Sequence, residues 1–336
     1  MIKKILSITA LMICITLIIS ACGNPEDVTN KEPQNNNNLS SLPTVSDDSS
    51  TTEENVTESK PESSTSSTPS DTSSVIPPKP VQLINVNVGP YEIYDALNSR
   101  GLSTKKSGFG YGVAQNGQPH SMSVNNQKRF DGMEDVEALA LDTKATDKRM
   151  YLTFDCGYEY KNLTANILDT LKEKNVKAAF FLTGDYVKKN HALVQRMIDE
   201  GHIVGNHSYS HPSFPNISRE KMANEIWKLE DYLKTNFNYS SQYFRFPSGE
   251  HSECALELVS SMGYKSIFWS AAYADWDTAK QPTKESAVNT VTSRYHNGAV
   301  ILLHAVSQAN ADGLGEMIDI AINQGYTFKT LDDYYQ

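Results

Sequence analysis

Cysteine is scarce in this chain: four in 336 residues, with Cys14 and Cys22 both near the amino end. Only Cys156 and Cys254 remain for a folded part. They follow different predicted strands, so no disulfide framework is expected. Positive charge is also short, with 30 Lys and Arg against 40 Asp and Glu and a net charge of −10. Without a basic patch, phosphate-driven binding to nucleic acid is not expected. Long apolar runs are missing after residue 20. Between Asn24 and Pro80 large apolar side chains are almost absent, and such a stretch cannot bury enough surface to offset its chain entropy.

The one apolar run, Ile5 to Ile19, follows Lys3 and Lys4 and precedes Ser20-Ala21-Cys22-Gly23. Such an order describes a secretory signal. Its ending resembles a bacterial lipobox, which implies that Cys22 is acylated and becomes the mature amino terminus. The alternative is an uncleaved anchor, for which the run is slightly short. Either way the rest of the chain is expected outside the cytoplasm, held to the outer face of the cytoplasmic membrane. The expected organisation is a lipoprotein signal peptide (1–22) and a disordered Ser/Thr/Asn-rich tether (23–80) with a reach of roughly 40 Å. Ten acidic residues against three lysines give Asn24 to Pro80 a charge of −7, leaving −5 from Val81 onward.

Residues 81–148 carry weaker signals and are expected as an N-terminal extension packed on a catalytic domain, 149–336. Tyr91 to Arg100 reads as a helix ended by Gly101; Gly108, Gly110, Gly112 and Gly117 argue for loops. Val136 to Leu141 reads as a strand or a helical turn. From Tyr151 the pattern becomes regular. Apolar, β-rich runs fall at Tyr151–Phe154, Ala178–Leu182, Ile203–Val204, Tyr243–Phe246, Ser266–Trp269, Val300–Leu303 and Tyr326–Phe328. Amphipathic segments lie between them, and four are followed by Gly201, Gly263, Gly298 and Gly325, which supply the left-handed residue that stops a helix. Alternation with short links predicts an α/β fold with a parallel sheet. About 185 residues are tight for eight full units, so an incomplete or distorted (β/α) barrel of about seven parallel strands is expected.

In such folds active sites collect at the carboxyl ends of the strands. Asp155 and Cys156 end the first run before Gly157. Asn206-His207-Ser208-Tyr209-Ser210-His211-Pro212 follows the third; two histidines four apart can meet one ion if the chain makes a turn. An isolated pair would more often be exposed or hydrogen-bonded. Arg245-Phe246-Pro247-Ser248-Gly249 ends the fourth, where the arginine can clamp a carboxylate and Pro247 and Gly249 shape a loop whose N–H groups face a ligand. Asp275-Trp276 follows the fifth, and His304 closes the sixth. Together these are parts for metal-assisted hydrolysis: a metal pair, a base, an acid, and a charged orienter for each.

Their order and spacing resemble the polysaccharide deacetylase family, the NodB-homology domain of carbohydrate esterases. Within it the likeness is to the muramic delta-lactam-forming de-N-acetylases of spore cortex peptidoglycan. Phe154-Asp155-Cys156-Gly157-Tyr158-Glu159 matches their Phe-Asp-x-Gly-Tyr-Glu, and four later motifs match at His207–Pro212, Arg245–Gly249, Ala274–Trp276 and Leu302–His304. The resemblance implies that Asp155 is the catalytic base, oriented by Arg245, and that His304 is the general acid, hydrogen-bonded to Asp275. It also implies that His207 and His211 bind a divalent metal and that the backbone around Ser248 stabilises the oxyanion. Pro247, Gly249 and Trp276 then line the substrate. Two positions depart from the pattern. Cys156 stands where the family has a second, metal-binding Asp; as a thiolate it would favour zinc, and as a buried thiol it would leave a two-histidine site. Ala272 stands where the broader family has an Asp.

The resemblance thus implies a hydrolase that de-N-acetylates N-acetylmuramic acid after an N-acetylmuramoyl-L-alanine amidase has removed the stem peptide, leading to muramic delta-lactam. The rivals are an N-acetylglucosamine deacetylase on peptidoglycan or chitin-like glycan, and a catalytically degenerate wall-binding lipoprotein.

Overall fold

The computed structural model describes residues 82–336. The expected signal, the tether and Cys22 lie outside the described residues. Strands β1 (Val86–Val88) and β2 (Tyr91–Ile93) form an antiparallel hairpin, followed by helix α1 (Ser121–Asp131) and strand β3 (Ala138–Leu139). The regular part then runs β4 (Arg149–Cys156), α2 (Leu163–Glu173), β5 (Ala179–Leu182), α3 (Gly184–Lys189), α4 (His191–Asp199) and β6 (Ile203–Asn206). It continues with α5 (Arg219–Phe237), β7 (Tyr243–Phe244), α6 (Glu253–Ser261) and β8 (Lys265–Ile267). Last come α7 (Lys284–Thr292), β9 (Ala299–His304), α8 (Gln308–Asn323), β10 (Thr327–Lys329) and α9 (Leu331–Tyr335). Among the described residues no helix is long and apolar enough to cross a membrane.

All seven predicted strands form, and β3 adds an eighth from the segment expected as an extension packed on the catalytic domain. The sheet order is β10-β4-β5-β6-β7-β8-β3, with β9 also on β4, and every pairing in it is parallel. β9 takes one edge of β4 from Met150 to Asp155, so β10 and β5 share the other edge at opposite ends. Between β9 and the far side of the sheet, isolated bridges (Ala271 to Ile301 and Leu141 to Ala299) close the ring. The result is a curled, incomplete barrel. Three of the four expected glycine stops are present, Gly201, Gly263 and Gly325 directly following the caps of α4, α6 and α8 with φ of +73°, +83° and +84°; α7 ends earlier, at Thr292, and Gly298 (φ +74°) instead turns the chain into β9.

The helix predicted over Tyr91–Arg100 does not form. Tyr91–Ile93 is strand instead, and the Asp95 carboxylate accepts the N–H groups of Ser99 at 2.6 Å and Arg100 at 2.9 Å, holding a turn in competition with a helix.

The period of two along β4 sorts its side chains onto two faces. Met150, Leu152, Phe154 and Cys156 point outward into the apolar layer under the helices. Tyr151, Thr153 and Asp155 point inward. The interior layer includes Tyr151, Phe181, Tyr243, Ile267 and Val300, and α9 stops its amino end with Leu331, Tyr334 and Tyr335. At the other end the polar groups collect.

Candidate active site

Register alone brings the first two groups together. Asp155 and His304 are direct partners across the β4–β9 pairing. Both lie on the inward face, at the rim. Arg245 follows β7 directly and is fully buried. Its guanidinium donates to Asp155 Oδ1 at 2.8 Å, to Thr153 Oγ1 at 2.9 Å, and to the carbonyls of Ile267 and Phe268 at 2.9 and 3.2 Å. Thr153 in turn donates to the Ile301 carbonyl at 2.6 Å. With the Phe181 ring 4.1 Å below it, the guanidinium has no freedom to turn away. Burial by itself would raise the Asp155 carboxyl; the charge of Arg245, then those of His207 and His304, outweigh it and hold the group below its ordinary value.

The histidine pair sits on a turn that is not helical. Asn206 Oδ1 accepts from the Ser208 N–H and Ser208 Oγ from the His211 N–H, both at 2.9 Å, with φ of +65° and +58° at Ser208 and His211. The two rings pack edge to face, 4.9 Å apart. His207 Nδ1 donates to the Arg245 carbonyl at 2.8 Å, leaving Nε2 as a bare acceptor 3.6 Å from Asp155 Oδ2. Burial lowers the pKa of His207 to about 4 and also lowers that of His211. Both rings are therefore neutral at physiological pH, the form that ligates metal.

His304 faces the cleft from the opposite side. Its Nδ1 donates to Asp275 Oδ1 at 2.6 Å and its backbone N–H to Asp275 Oδ2 at 2.8 Å. Burial opposes a charged His304, but the Asp275 hydrogen bond and the Asp275 and Asp155 charges together raise its pKa above the ordinary value. Trp276 stands 5.7 Å from the His304 ring and is 57% exposed. An indole left that open beside a polar rim is suited to stacking on a ligand.

In the loop after β7, Ser248 is exposed with φ +54°. The Gly249 N–H closes the turn onto the Phe246 carbonyl at 2.9 Å, so Gly249 shapes the loop rather than offering a donor. A Cβ there would lie 2.7 Å from the Trp269 ring and 2.9 Å from Phe109, at φ +66°, which is why glycine is needed.

Cys156 takes the second of its two places. Its thiol lies in the outer apolar layer with Phe154, and burial, then the Asp155 and Glu159 charges, raise its pKa well above the ordinary thiol value. The reading of Cys156 as a metal ligand is thereby corrected. Asp155 points into the barrel, and period-two alternation turns its neighbour outward. Cys254 is free and buried as well.

One contribution was missed from the sequence. Ser107 bridges antiparallel to His251 through two 2.9 Å hydrogen bonds, and Phe109 stacks 4.4 Å from Phe268. Tyr111 donates to the Ala272 carbonyl at 2.8 Å, and Arg129 lies 3.0 Å from His251 Nε2. Residues 107–111 thus strap the Ser248 loop and the chain leading to Asp275. The glycine-rich loop carried no periodic signal that would have revealed it.

A family model described as polysaccharide deacetylase matches residues 142–267. The N-acetylmuramic acid deacetylase PdaA of Bacillus subtilis is 40% identical over 188 residues, covering 56% of this chain and 71% of that protein. The chain belongs to the polysaccharide deacetylase family. The family match begins at Asp142, within the segment expected as the extension, and β3, just before the match, also joins the sheet. The solved PdaA structure, described as a family 4 carbohydrate esterase, superposes with a TM-score of 0.64 at 35% identity, covering 69% of this chain and 97% of that one. An uncharacterised 30.6 kDa protein of Geobacillus stearothermophilus is 47% identical over 187 residues (55% of this chain, 70% of that protein). A peptidoglycan-N-acetylglucosamine deacetylase of Bacillus cereus is 34% identical over 189 residues (55% and 67%).

Deacetylases of this family are generally metal-dependent. Among the described residues no group of three or more His, Cys, Asp or Glu side chains forms a ready metal cage. Two neutral imidazoles beside the Asp155 carboxylate nonetheless fit a divalent ion of borderline softness, with its other positions open.

Proposed function

We propose that this protein hydrolyses the N-acetyl group of N-acetylmuramic acid in peptidoglycan. The observation that carries the hydrolytic reading is the pairing of Asp155 and His304 across one barrel mouth, each with its own charged orienter and with pKa values pushed in opposite directions. Environments that separate two titratable groups this way assign a base and an acid. Asp155, ionised and held by Arg245, takes the proton of the attacking water. His304, whose hold on its proton Asp275 strengthens, gives its Nε2 proton to the leaving nitrogen as the C–N bond breaks. Trp276 offers a stacking face for the sugar, and the Ser248 backbone offers a donor to the oxyanion. His207 and His211 would hold a divalent ion, zinc by their donor type, which when bound polarises water and the acetyl carbonyl.

The similarity to PdaA supports the muramic substrate. On that substrate the freed amine can attack the neighbouring lactyl carboxyl and lose water, giving the muramic delta-lactam of spore cortex, provided an amidase has first removed the stem peptide. Lipid attachment at Cys22 would hold the domain against the wall, on the outer face of the cytoplasmic membrane. A second reading, N-acetylglucosamine deacetylation, draws support from the similarity to the Bacillus cereus deacetylase. Mass spectrometry of peptide-free glycan strands and of muropeptides, before and after incubation with zinc-loaded protein, tests the proposal. Loss of acetyl from muramic residues is expected, with none after Asp155→Asn. New free glucosamine with muramic residues unchanged would replace the first reading by the second.

A further inference from the structure

Asp275 lies behind His304 and is 1% exposed, where a carboxylate oxygen needs every donor it can find. Besides the two His304 donors, its Oδ2 accepts from Nδ2 of Asn310 at 2.6 Å. Asn310 is fully buried in the first turn of α8, where its own N–H donates to Ser307 Oγ at 3.2 Å. Tyr273 OH donates to Asn310 Oδ1 at 2.5 Å. Because that oxygen is occupied, the NH₂ end of the amide must face Asp275, and it also reaches the His304 carbonyl at 3.4 Å. Tyr273, Asn310, Asp275 and His304 therefore form one hydrogen-bonded chain ending at the cleft, in which Asp275 accepts from both Asn310 and His304, and none of the family motifs contains Asn310.

We infer that Asn310 is a positioning residue for proton delivery: its amide fixes the rotation of the Asp275 carboxylate and so aims His304 Nε2 at the leaving nitrogen. The inference rests on the reading of His304 as the acid. In the step itself the C–N electron pair goes to nitrogen, which takes the Nε2 proton, while the other proton stays on Nδ1, hydrogen-bonded to Asp275, and the neutral imidazole regains a proton from solvent at Nε2. Losing one donor to a buried carboxylate removes a charge-assisted hydrogen bond, and the Asp275 plane gains a rotation that carries Oδ1 off the imidazole axis.

The test compares zinc-loaded wild type, Asn310→Ala, Tyr273→Phe and His304→Ala on an N-acetylated glycan and on 4-nitrophenyl acetate, whose phenolate leaves without needing a proton. For Asn310→Ala, kcat on the glycan is expected to fall about tenfold or more at little change in KM, with ester hydrolysis within about threefold of wild type. Tyr273→Phe, which frees the amide without emptying the site, should show the same split at about threefold. It decides the matter if thermal melting shows that Asn310→Ala does not fold. Equal losses on amide and ester in a folded variant would make Asn310 merely structural, and unchanged amide turnover would also overturn the inference. An inactive His304→Ala beside a fully active Asn310→Ala sinks this inference alone. An active His304→Ala removes the acid reading and this inference with it.

Discussion

Replacing Arg245 by methionine leaves the Asp155 carboxylate buried with no cation at 2.8 Å and strips donors from Thr153 Oγ1 and from the carbonyls of Ile267 and Phe268. Removing one partner of a buried ion pair costs about 3–5 kcal/mol, because the charge left behind has lost both water and its partner. Arg245 is fully enclosed and Asp155 only 8% exposed, so solvent screening gives little relief. Asp155→Asn is milder, since the amide oxygen still accepts from the guanidinium. If the pair is coupled as the geometry requires, the double variant is less damaged than the sum of the two single ones, by about 1.5–3 kcal/mol, the worth of a hydrogen bond to a charged group. Urea unfolding of the four proteins, metal-free, measures the cycle. Additivity within about 0.5 kcal/mol, or an Arg245→Met protein less than about 1 kcal/mol below wild type, would refute the claim that Arg245 holds Asp155 in place.

Trp276→Ala should raise KM for glycan about fivefold with kcat nearly unchanged, since a stacking face worth about 1 kcal/mol is lost and the reacting groups are not; steady-state kinetics decide it. Cys156→Ala should leave bound zinc, measured by elemental analysis, at the wild-type level and lower stability by about 1 kcal/mol, because the thiol packs in the outer layer; loss of zinc would return Cys156 to the site. Buried His202, whose pKa falls to about 4 through burial and then the Lys177 charge, makes stability pH-dependent. Between about pH 6.5 and 4 the unfolded chain binds a proton there that the folded chain refuses, so stability is full above that window and falls through it by up to about 3 kcal/mol. His202→Gln should make that part of the stability profile shallower in denaturant titrations, leaving the share that His207 contributes; an unchanged slope would show that His202 titrates alike in both states.

Most of the barrel could be read in advance because its strands are short apolar runs and several of its helices are stopped by glycine, both local signals. The site residues stood out because each ends or directly follows a strand, at Asp155, His207, Arg245 and His304. Signals failed where local chemistry was ambiguous. Asp95 made a turn of the stretch expected as a helix by capturing two N–H groups, and the strand at Ala138–Leu139 is so short that Val136 to Leu141 reads equally as a strand or a helical turn. The strap at residues 107–111 belongs to a glycine-rich stretch whose conformation is set by what it lies on.

By itself the chain order determined which chemical groups exist and that they end or follow strands. Those follow from backbone geometry over a few residues. Only the closed tertiary structure decided that Asp155 meets His304 across one register, that Arg245 reaches a carboxylate ninety positions earlier, and that Asn310 backs Asp275. Such meetings depend on how distant segments share one interior. Ring closure and side-chain packing choose among pairings that local preferences leave equal.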